Sequence, residues 1–262
     1  MRVPIYQVDA FTSRPFGGNP AAVCPLERWP ADALLQSIAS ENNLSETAFL
    51  VPEGEGWHLR WFTPTVEVDL CGHATLAAAH VVLTRLSPAR ESVSFRTASG
   101  VLTVKRAGGR LSMTLPRLAP ERIEPPPGLA RALGVEPLET WRSHDLMAVL
   151  ASEELVRDLA PDLAAVAGLD APGLIVTAQG RAVDFVSRYF GPRLGLPEDP
   201  VTGSAHCTLV PYWAERLGKS RLHAFQVSAR GGELFCQSGE DLVVLAGHVA
   251  DYLEGVLQVP EG

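Results

Sequence analysis

The sequence has no apolar segment long enough to cross a bilayer and no excess of basic residues. Its largely apolar runs, such as residues 77–83, fall far short of the ~20 residues that a transmembrane helix needs. Asp and Glu number 30 against 22 Lys and Arg, so the net charge is −8, and the basic residues are scattered. A nucleic-acid-binding surface needs clustered positive charge. We therefore expect neither a membrane nor a nucleic acid as a partner.

Cysteine is also scarce. Cys24, Cys71, Cys207 and Cys236 form no Cys-X-X-Cys pair, which is unfavourable for a zinc site or a thioredoxin-like redox site. Residues 1–5 show no signal-peptide pattern and instead predict a first strand. We therefore expect a cytoplasmic protein with reduced thiols.

The 262 residues, 46% of them hydrophobic and 20% charged, are typical of a packed globular protein with one large domain or two ordinary ones. Residues 116–128 hold five prolines and are the best candidate for a boundary. The order of predicted elements starts again after them. The sequence therefore predicts two lobes, 1–117 and 118–262, with the alternative that the last strand crosses back to the first lobe.

Two stretches of the chain repeat each other. Residues 60–64 (Arg-Trp-Phe-Thr-Pro) precede the turn at 71–75 (Cys-Gly-His-Ala-Thr), and residues 188–192 (Arg-Tyr-Phe-Gly-Pro) precede the turn at 202–206 (Thr-Gly-Ser-Ala-His). Each turn opens an apolar helix. This repetition predicts a duplicated α+β fold in which each lobe wraps a twisted mixed sheet around a central buried helix.

The two turns also suggest a binding function. A glycine-led turn at a helix N-terminus presents free backbone N–H groups and binds anions. We expect the two turns to face each other in a cleft that binds a small carboxylated metabolite.

Six stretches, in order along the chain, resemble the phenazine-biosynthesis isomerase family (PhzF-like), which shares its fold with diaminopimelate epimerase. They are Val8-Asp9-Ala10-Phe11, Gly18-Asn19-Pro20-Ala21-Ala22-Val23, Asn43-Leu44-Ser45-Glu46-Thr47-Ala48-Phe49, Arg60-Trp61-Phe62-Thr63-Pro64, Cys71-Gly72-His73-Ala74-Thr75 and Glu198-Asp199-Pro200-Val201-Thr202-Gly203-Ser204-Ala205-His206. Together they extend over most of the chain.

The resemblance implies that Glu46 transfers a proton and that the protein isomerises a small unsaturated or cyclic carboxylate, such as a dihydro-hydroxyanthranilate. It implies no metal and no organic cofactor. The remaining site residues that it implies are Ser45, Gly72, His73, Asp199, Gly203 and Ser204. Homodimers and monomers both occur in the family, so a homodimer is one expectation for this chain.

Each of these residues also has an ordinary structural interpretation. An isolated glutamate is usually a solvated side chain, although the second half of the chain offers Ala171-Pro172-Gly173 at the place equivalent to Glu46, with no acid. His73 could cap or pack locally, or it could donate to a substrate or relay a proton.

The residues of the second turn leave similar alternatives. Asp199 could form an Asx-turn before Pro200, could orient His73 or a substrate amine, or could share the proton with Glu46. Gly203 and Ser204, like Gly72, are also what a tight turn and a helix cap require.

Cys71 raises an alternative function, because the epimerase relatives use a pair of thiols on opposite faces of one carbon. Here Thr202 stands where the second thiol would be, and a threonine cannot replace it. The leading hypothesis is therefore a cofactor-independent isomerase with Glu46 as general acid and base. A racemase or epimerase that uses Cys71, and a non-catalytic metabolite-binding protein, are the alternatives.

Overall fold

The computed structural model describes residues 1–260. The chain forms two compact units. The first consists of Met1–Thr114 together with the stretch from Ala246 onward, and the second consists of Leu115–Leu245. No helix among the described residues is long and apolar enough to cross a membrane.

The first unit contains the helices and strands that begin before residue 115, together with the final strand of the chain. They are β1 (Arg2–Ala10), β2 (Asn19–Pro25), α1 (Asp32–Asn42), β3 (Glu46–Glu53), β4 (Gly56–Phe62), β5 (Glu67–Val68), α2 (Gly72–Val81) with a π-helical turn at Val82–Leu86, β6 (Ser92–Thr97), β7 (Gly100–Ala107), β8 (Arg110–Pro116) and β18 (Val249–Gln258).

Parallel and antiparallel pairs alternate through the first unit. Strands β1 and β2 pair antiparallel, β2 and β3 parallel, β3 and β4 antiparallel, β4 and β6 parallel, and β6 and β7 antiparallel. Strand β18 adds to the free side of β1 in antiparallel register. The parallel pairing of β2 with β3 sets Ala21 opposite Glu46, so the beginnings of these two strands lie at the same edge of the sheet.

The second unit contains a second set of elements in a corresponding order. They are β9 (Glu121–Ile123), α3 (Leu129–Leu133), β10 (Glu139–Arg142), β11 (Leu146–Val149), α4 (Glu153–Arg157), α5 (Leu163–Ala167), β12 (Leu174–Gln179), β13 (Phe185–Gly191) with a 3-10 turn at Pro192–Leu194, β14 (Leu196–Asp199), α6 (Gly203–Leu217), β15 (Arg221–Gln226), β16 (Gly232–Ser238) and β17 (Leu242–Gly247).

The strand pairing of the second unit repeats that of the first. Strands β10 and β11 pair antiparallel, β11 and β12 parallel, β12 and β13 antiparallel, β13 and β15 parallel, and β15 and β16 antiparallel. The same succession of directions as in β1 to β7 shows that the chain is built from two copies of one α+β unit.

The repeated arginines play the same part in both copies. Arg60 of β4 donates through Nε to Glu67 of β5 at 2.7 Å, and Arg188 of β13 donates through Nε to Glu198 of β14 at 2.7 Å. Each guanidinium group also lies over the phenylalanine two residues later, Phe62 or Phe190. The repeated arginine thus forms the same ion pair in both units, between β4 and β5 in the first and between β13 and β14 in the second.

The two turns open buried helices, as the sequence predicts. Nine of the ten residues of α2 are buried, because its side chains are mostly alanine and other small or apolar groups that let strands approach from several sides. Helix α2 packs against β1, β2 and β3. Helix α6 is buried from Ala205 to Trp213 and carries the larger side chains of Tyr212 and Trp213. The fold is therefore α+β, with a mixed sheet around a central helix in each lobe.

A Gly-Gly pair between two strands predicts a two-residue hairpin, and the structure confirms this prediction for Gly108-Gly109. It joins β7 to β8, and both glycines have positive φ, 57° and 80°. A two-residue hairpin of this kind needs the left-handed region at both positions, which glycine enters without steric cost.

The small side chains of α2 generate the first prediction. Ala78 is fully buried, so the substitution Ala78→Leu should overpack the core and lower the free energy of unfolding by about 1–3 kcal/mol. Ala33→Leu, at an exposed position of α1, is the matched control and should change it by less than about 0.5 kcal/mol. Urea unfolding of both variants measures the difference. Equal effects would show that α2 is not closely packed.

Candidate active site

Glu46 lies at the edge of the sheet where β3 begins. It is the first residue of the strand and is 8% exposed. A carboxylate that is so deeply buried is rare unless it has a charged or hydrogen-bonding partner. The surroundings of Glu46 therefore decide what it does.

His73, in the first turn of α2, is the nearest basic group. Its Nε2 atom lies 3.1 Å from the Glu46 carboxylate oxygen Oε2, and its exposed fraction is 4%. The two atoms are close enough for an ion pair, but their alignment does not satisfy a hydrogen bond, and neither has a hydrogen-bond partner among the described residues. A buried donor and a buried acceptor without a well-aligned partner indicate a place where a ligand is expected to bind.

Asn19 contacts the other side of the imidazole ring. Its Nδ2 atom lies 3.1 Å from His73 Nδ1, and the side chain is completely buried. Asn19 lies in one of the six stretches that resemble the family but was not predicted as a site residue. The strand order could have identified it. Strands β2 and β3 are parallel neighbours, so Asn19, the first residue of β2, lies at the same edge of the sheet as Glu46, the first residue of β3.

The loop before Asn19 has a constrained backbone. Gly18 has φ +60°, and a Cβ atom on it would lie 2.0 Å from the carbonyl oxygen of Ala10. Phe11 and Phe16 also have positive φ, and the Phe16 N–H donates to the Asp9 carboxylate at 2.8 Å. This loop fixes where β2 begins and so fixes the position of Asn19.

Cys71 completes the cluster. It is the N-cap residue of α2, and its Sγ atom lies 3.6 Å from His73 Nδ1. Burial raises the pKa of the Cys71 thiol to about 11, and the Glu46 charge adds to this effect. The thiol is therefore protonated at neutral pH and is a poor nucleophile.

The charge state of His73 depends on its neighbours. Burial lowers the pKa of His73, but Cys71 and Glu46 raise it by more, so the net shift is upward. Because Cys71 carries a neutral thiol, the Glu46 carboxylate is the physical cause that we assign to this shift. An imidazole whose proton is stabilised by a carboxylate is suited to donate a hydrogen bond or to exchange a proton.

The cluster also contains three residue types that bind metal ions. One ligand atom each from Glu46, Cys71 and His73 lies within 4.8 Å of the others. The ring presents Nε2 to Glu46 and Nδ1 to Cys71 and Asn19. A single ion takes only one imidazole nitrogen, so the contacts are better matched to proton transfer than to a three-ligand centre.

The turn of the second unit carries a different polar network. The Thr202 hydroxyl donates to the Asp199 carboxylate at 2.6 Å, and the Gln226 amide Nε2 donates to the Asp199 carbonyl oxygen at 2.7 Å. Gln226 Oε1 also accepts from the Thr202 N–H at 2.9 Å. Gln226 is fully buried and was not predicted, because it lies on β15, far from the turn in sequence.

The other predicted binding residues differ in exposure. Gly72 and Gly203 are buried first residues of α2 and α6, Ser204 is exposed, and Ser45 is partly exposed just before β3. Neither N-cap side chain, Cys71 or Thr202, makes a capping hydrogen bond. The backbone N–H groups at both helix starts therefore keep the donor character that the sequence predicts for them.

Strand register shows why only one unit carries the acid. Phe62 pairs with Thr47, and the equivalent Phe190 pairs with Leu174, so Gly173 corresponds to Glu46. A Cβ atom at Gly173 would lie 2.1 Å from the Tyr189 hydroxyl oxygen. A side chain at Gly173 would therefore require Tyr189 to move, and the register identifies Gly173 as the position equivalent to Glu46.

Comparisons with known proteins identify the family of the chain. A family model described as phenazine biosynthesis-like protein matches residues 8–255. An uncharacterized isomerase of Pseudomonas aeruginosa is 51% identical over 99% of this chain and 100% of its own length. The chain belongs to the phenazine biosynthesis-like family. Family relatives at about this identity are named isomerases, and the chain is an enzyme of that class.

Solved structures of other proteins share the fold of this chain. A PhzF family protein from Enterococcus faecalis has a TM-score of 0.97 at 48% identity and covers 99% of this chain and 100% of its own. A hydroxyproline epimerase from Agrobacterium vitis covers 98% and 92% with a TM-score of 0.61 at 9% identity. The second likeness shows that the epimerase-like fold is shared.

His206 in α6 is a second buried histidine of the chain, and its surroundings predict how stability depends on pH. Its Nδ1–H donates to the Thr202 carbonyl oxygen at 2.8 Å, and burial lowers its pKa to about 4. Because the unfolded chain binds this proton more readily, stability falls as the pH drops through the window from about 6.5 to 4.

The loss from this group between pH 7 and pH 5 should be about 2 kcal/mol. His206→Gln keeps a side-chain amide donor and removes the titration, so its unfolding free energy should fall less over the same range. Urea unfolding at both pH values compares the two proteins. An identical pH dependence would contradict a neutral buried His206.

Proposed function

We propose that the protein isomerises a small unsaturated or cyclic carboxylate by proton transfer, with Glu46 as general acid and base. The observation that carries this proposal is the buried contact between Glu46 and His73, 3.1 Å apart at the beginning of α2. Proton-transfer residues need a shielded site and a partner that stabilises one protonation state.

In the proposed reaction, the Glu46 carboxylate removes a proton from one carbon of the substrate. The electron pair of that C–H bond moves into the conjugated system and a double bond shifts. The protonated Glu46 then returns a proton to a different carbon. Electrons and protons balance within the substrate and Glu46, so the reaction requires no oxidant or reductant.

The start of α2 supports the binding of the carboxylate. The positive end of its helix dipole and the N–H groups beginning at Gly72 favour a negative charge, and His73 Nε2 adds a donor beside Glu46. These groups would also stabilise the dienolate-like charge that develops when the proton leaves carbon. Ser45, just before Glu46, is the proposed hydroxyl contact.

Asp199, Gly203 and Ser204 remain site residues predicted from the resemblance. Asp199 keeps its roles of orienting a group or sharing a proton, and Gly203 offers helix amides to an anion. Asp199→Asn and Ser204→Ala test these roles in the assay described below, and an unchanged rate in either would remove that residue from the proposed site.

A racemase that uses Cys71 is the second candidate, since Cys71 lies 3.6 Å from His73. Two observations weaken it. Burial raises the pKa of the thiol to about 11, and Thr202, at the matching position, is hydrogen-bonded to Asp199. A non-catalytic binding protein is the third candidate and predicts a ligand that binds without exchanging its protons.

The substitution Glu46→Gln tests the main proposal. Loss of the general base should slow proton exchange by at least about 100-fold. The measurement is deuterium incorporation from D2O, followed by mass spectrometry, in a panel of small cyclic, unsaturated and amino carboxylates. Glu53→Gln, at the exposed end of the same strand, is the control and should retain the wild-type rate. Full activity in Glu46→Gln would reject the proposal.

The same assay separates the isomerase from the racemase. In Cys71→Ser a hydroxyl can still donate to His73, so exchange should stay within about tenfold of the wild type, the effect of one altered hydrogen bond. Prior dialysis against EDTA should leave the rate unchanged, because the proposed reaction uses no metal. Inactivation by Cys71→Ser would favour the racemase, and loss of activity after EDTA would favour a metal centre on Glu46, Cys71 and His73.

A further inference from the structure

The two nitrogens of His73 have chemically different surroundings. Nδ1 lies 3.1 Å from Asn19 Nδ2 and 3.6 Å from Cys71 Sγ, whereas Nε2 lies 3.1 Å from a carboxylate oxygen of Glu46. All three residues are buried. The ring therefore has two contacts on one side and a carboxylate on the other.

The contacts on the Nδ1 side are both donors. The Nδ2 group of an asparagine amide can only donate, and the Cys71 thiol keeps its proton at neutral pH because burial raises its pKa to about 11. Because the amide N–H group can only donate, Nδ1 must accept from Asn19, and the thiol can donate to the same nitrogen. Nδ1 of neutral His73 must then be bare, and the ring proton must be on Nε2.

The Nε2 side requires the same assignment. An ionised carboxylate only accepts hydrogen bonds, so Glu46 favours a proton on the nitrogen that faces it. Asn19 and Glu46 thus select the same tautomer from opposite sides of the ring.

We propose that Asn19 is a positioning residue that holds His73 in the tautomer with its proton on Nε2, directed at Glu46. This inference rests on the proposed function, in which Glu46 carries the transferred proton. In that function the Nε2–H group of His73 is a hydrogen-bond donor beside Glu46 that serves the substrate, and His73 does not act as the base. The backbone of the loop before Asn19, with Gly18 at φ +60°, keeps the amide in place.

The direct test uses the wild-type protein and needs no substrate. Nitrogen-15 NMR of histidine-labelled protein distinguishes a protonated from a bare ring nitrogen, and His73→Gln identifies the signals of His73. Because the pKa of His73 is raised, the spectra are recorded at increasing pH until the ring is neutral, and in that neutral form we expect Nε2 to be protonated and Nδ1 to be bare. A protonated Nδ1 with a bare Nε2 would overturn the proposal.

Asn19→Asp then replaces the donor at Nδ1 with an acceptor of nearly the same shape. Nδ1 should become protonated in the NMR spectrum, and deuterium exchange should slow by roughly 10- to 100-fold, as is usual when a partner that orients a catalytic group is changed. Asn43→Asp adds the same charge at an exposed position and should leave both readings unchanged. An Asn19→Asp protein with the wild-type tautomer would also overturn the proposal.

Asn19→Ala provides a further reading if the aspartate variant does not fold. It removes the amide donor but leaves the Cys71 thiol at Nδ1 and Glu46 at Nε2, so Nδ1 should become partly protonated and the pH profile of exchange should change. A tautomer and a pH profile identical to those of the wild type would overturn the proposal. Failure of the proposed function has a different signature. In that case Glu46→Gln keeps full exchange activity while the wild-type NMR spectrum still shows the proton on Nε2.

Discussion

The candidate site depends on the approach of the first turn of α2 to the edge where two parallel strands begin. Strands β2 and β3 pair in parallel register, so Asn19 and Glu46 lie at the same edge, one strand apart. Helix α2 is made of small buried residues and packs closely against both strands. His73 is thereby held between an amide and a carboxylate.

The duplication explains how such a site arose in one half of the chain. Both units have the same strand pairings, the same arginine–glutamate pair before the turn and a helix that begins at a glycine. Their chemistry has diverged at equivalent positions. Glu46 corresponds to Gly173, and Cys71 corresponds to Thr202, which bonds to Asp199. One copy keeps the buried acid and the histidine, while the other has a network of neutral hydrogen-bonding groups around Asp199.

Local sequence signals predicted much of the fold. The glycine-led turns, the apolar helices α2 and α6 and the Gly108-Gly109 hairpin are encoded by neighbouring residues, and the structure has them where expected. Helix α5 (Leu163–Ala167) was not predicted; it begins at Asp162, whose carboxylate accepts from the N–H groups of Ala164 and Ala165. The bounds of strand β18 were not predicted, although a last strand that crosses back to the first lobe was one alternative. Its pairing with β1 joins distant parts of the chain, and no local pattern encodes that pairing.

The site was predictable to the same extent. Glu46 and His73 were named from the family resemblance, and the structure brings them together. Asn19 and Gln226 were not, because each reaches its partner through strand pairing between distant segments. Fine geometry of this kind depends on register, and register is determined by the whole sheet.

The central claim is that one carboxyl group beside the start of α2 carries the hydrogen. A crystal structure of the Glu46→Gln protein with a carboxylate that the wild-type enzyme turns over would test it most directly. The account predicts the substrate carboxylate on the backbone N–H groups that begin at Gly72, with the carbon that loses its proton about 3–3.5 Å from the side chain at position 46. A substrate bound with its reacting carbon far from residue 46 would contradict it.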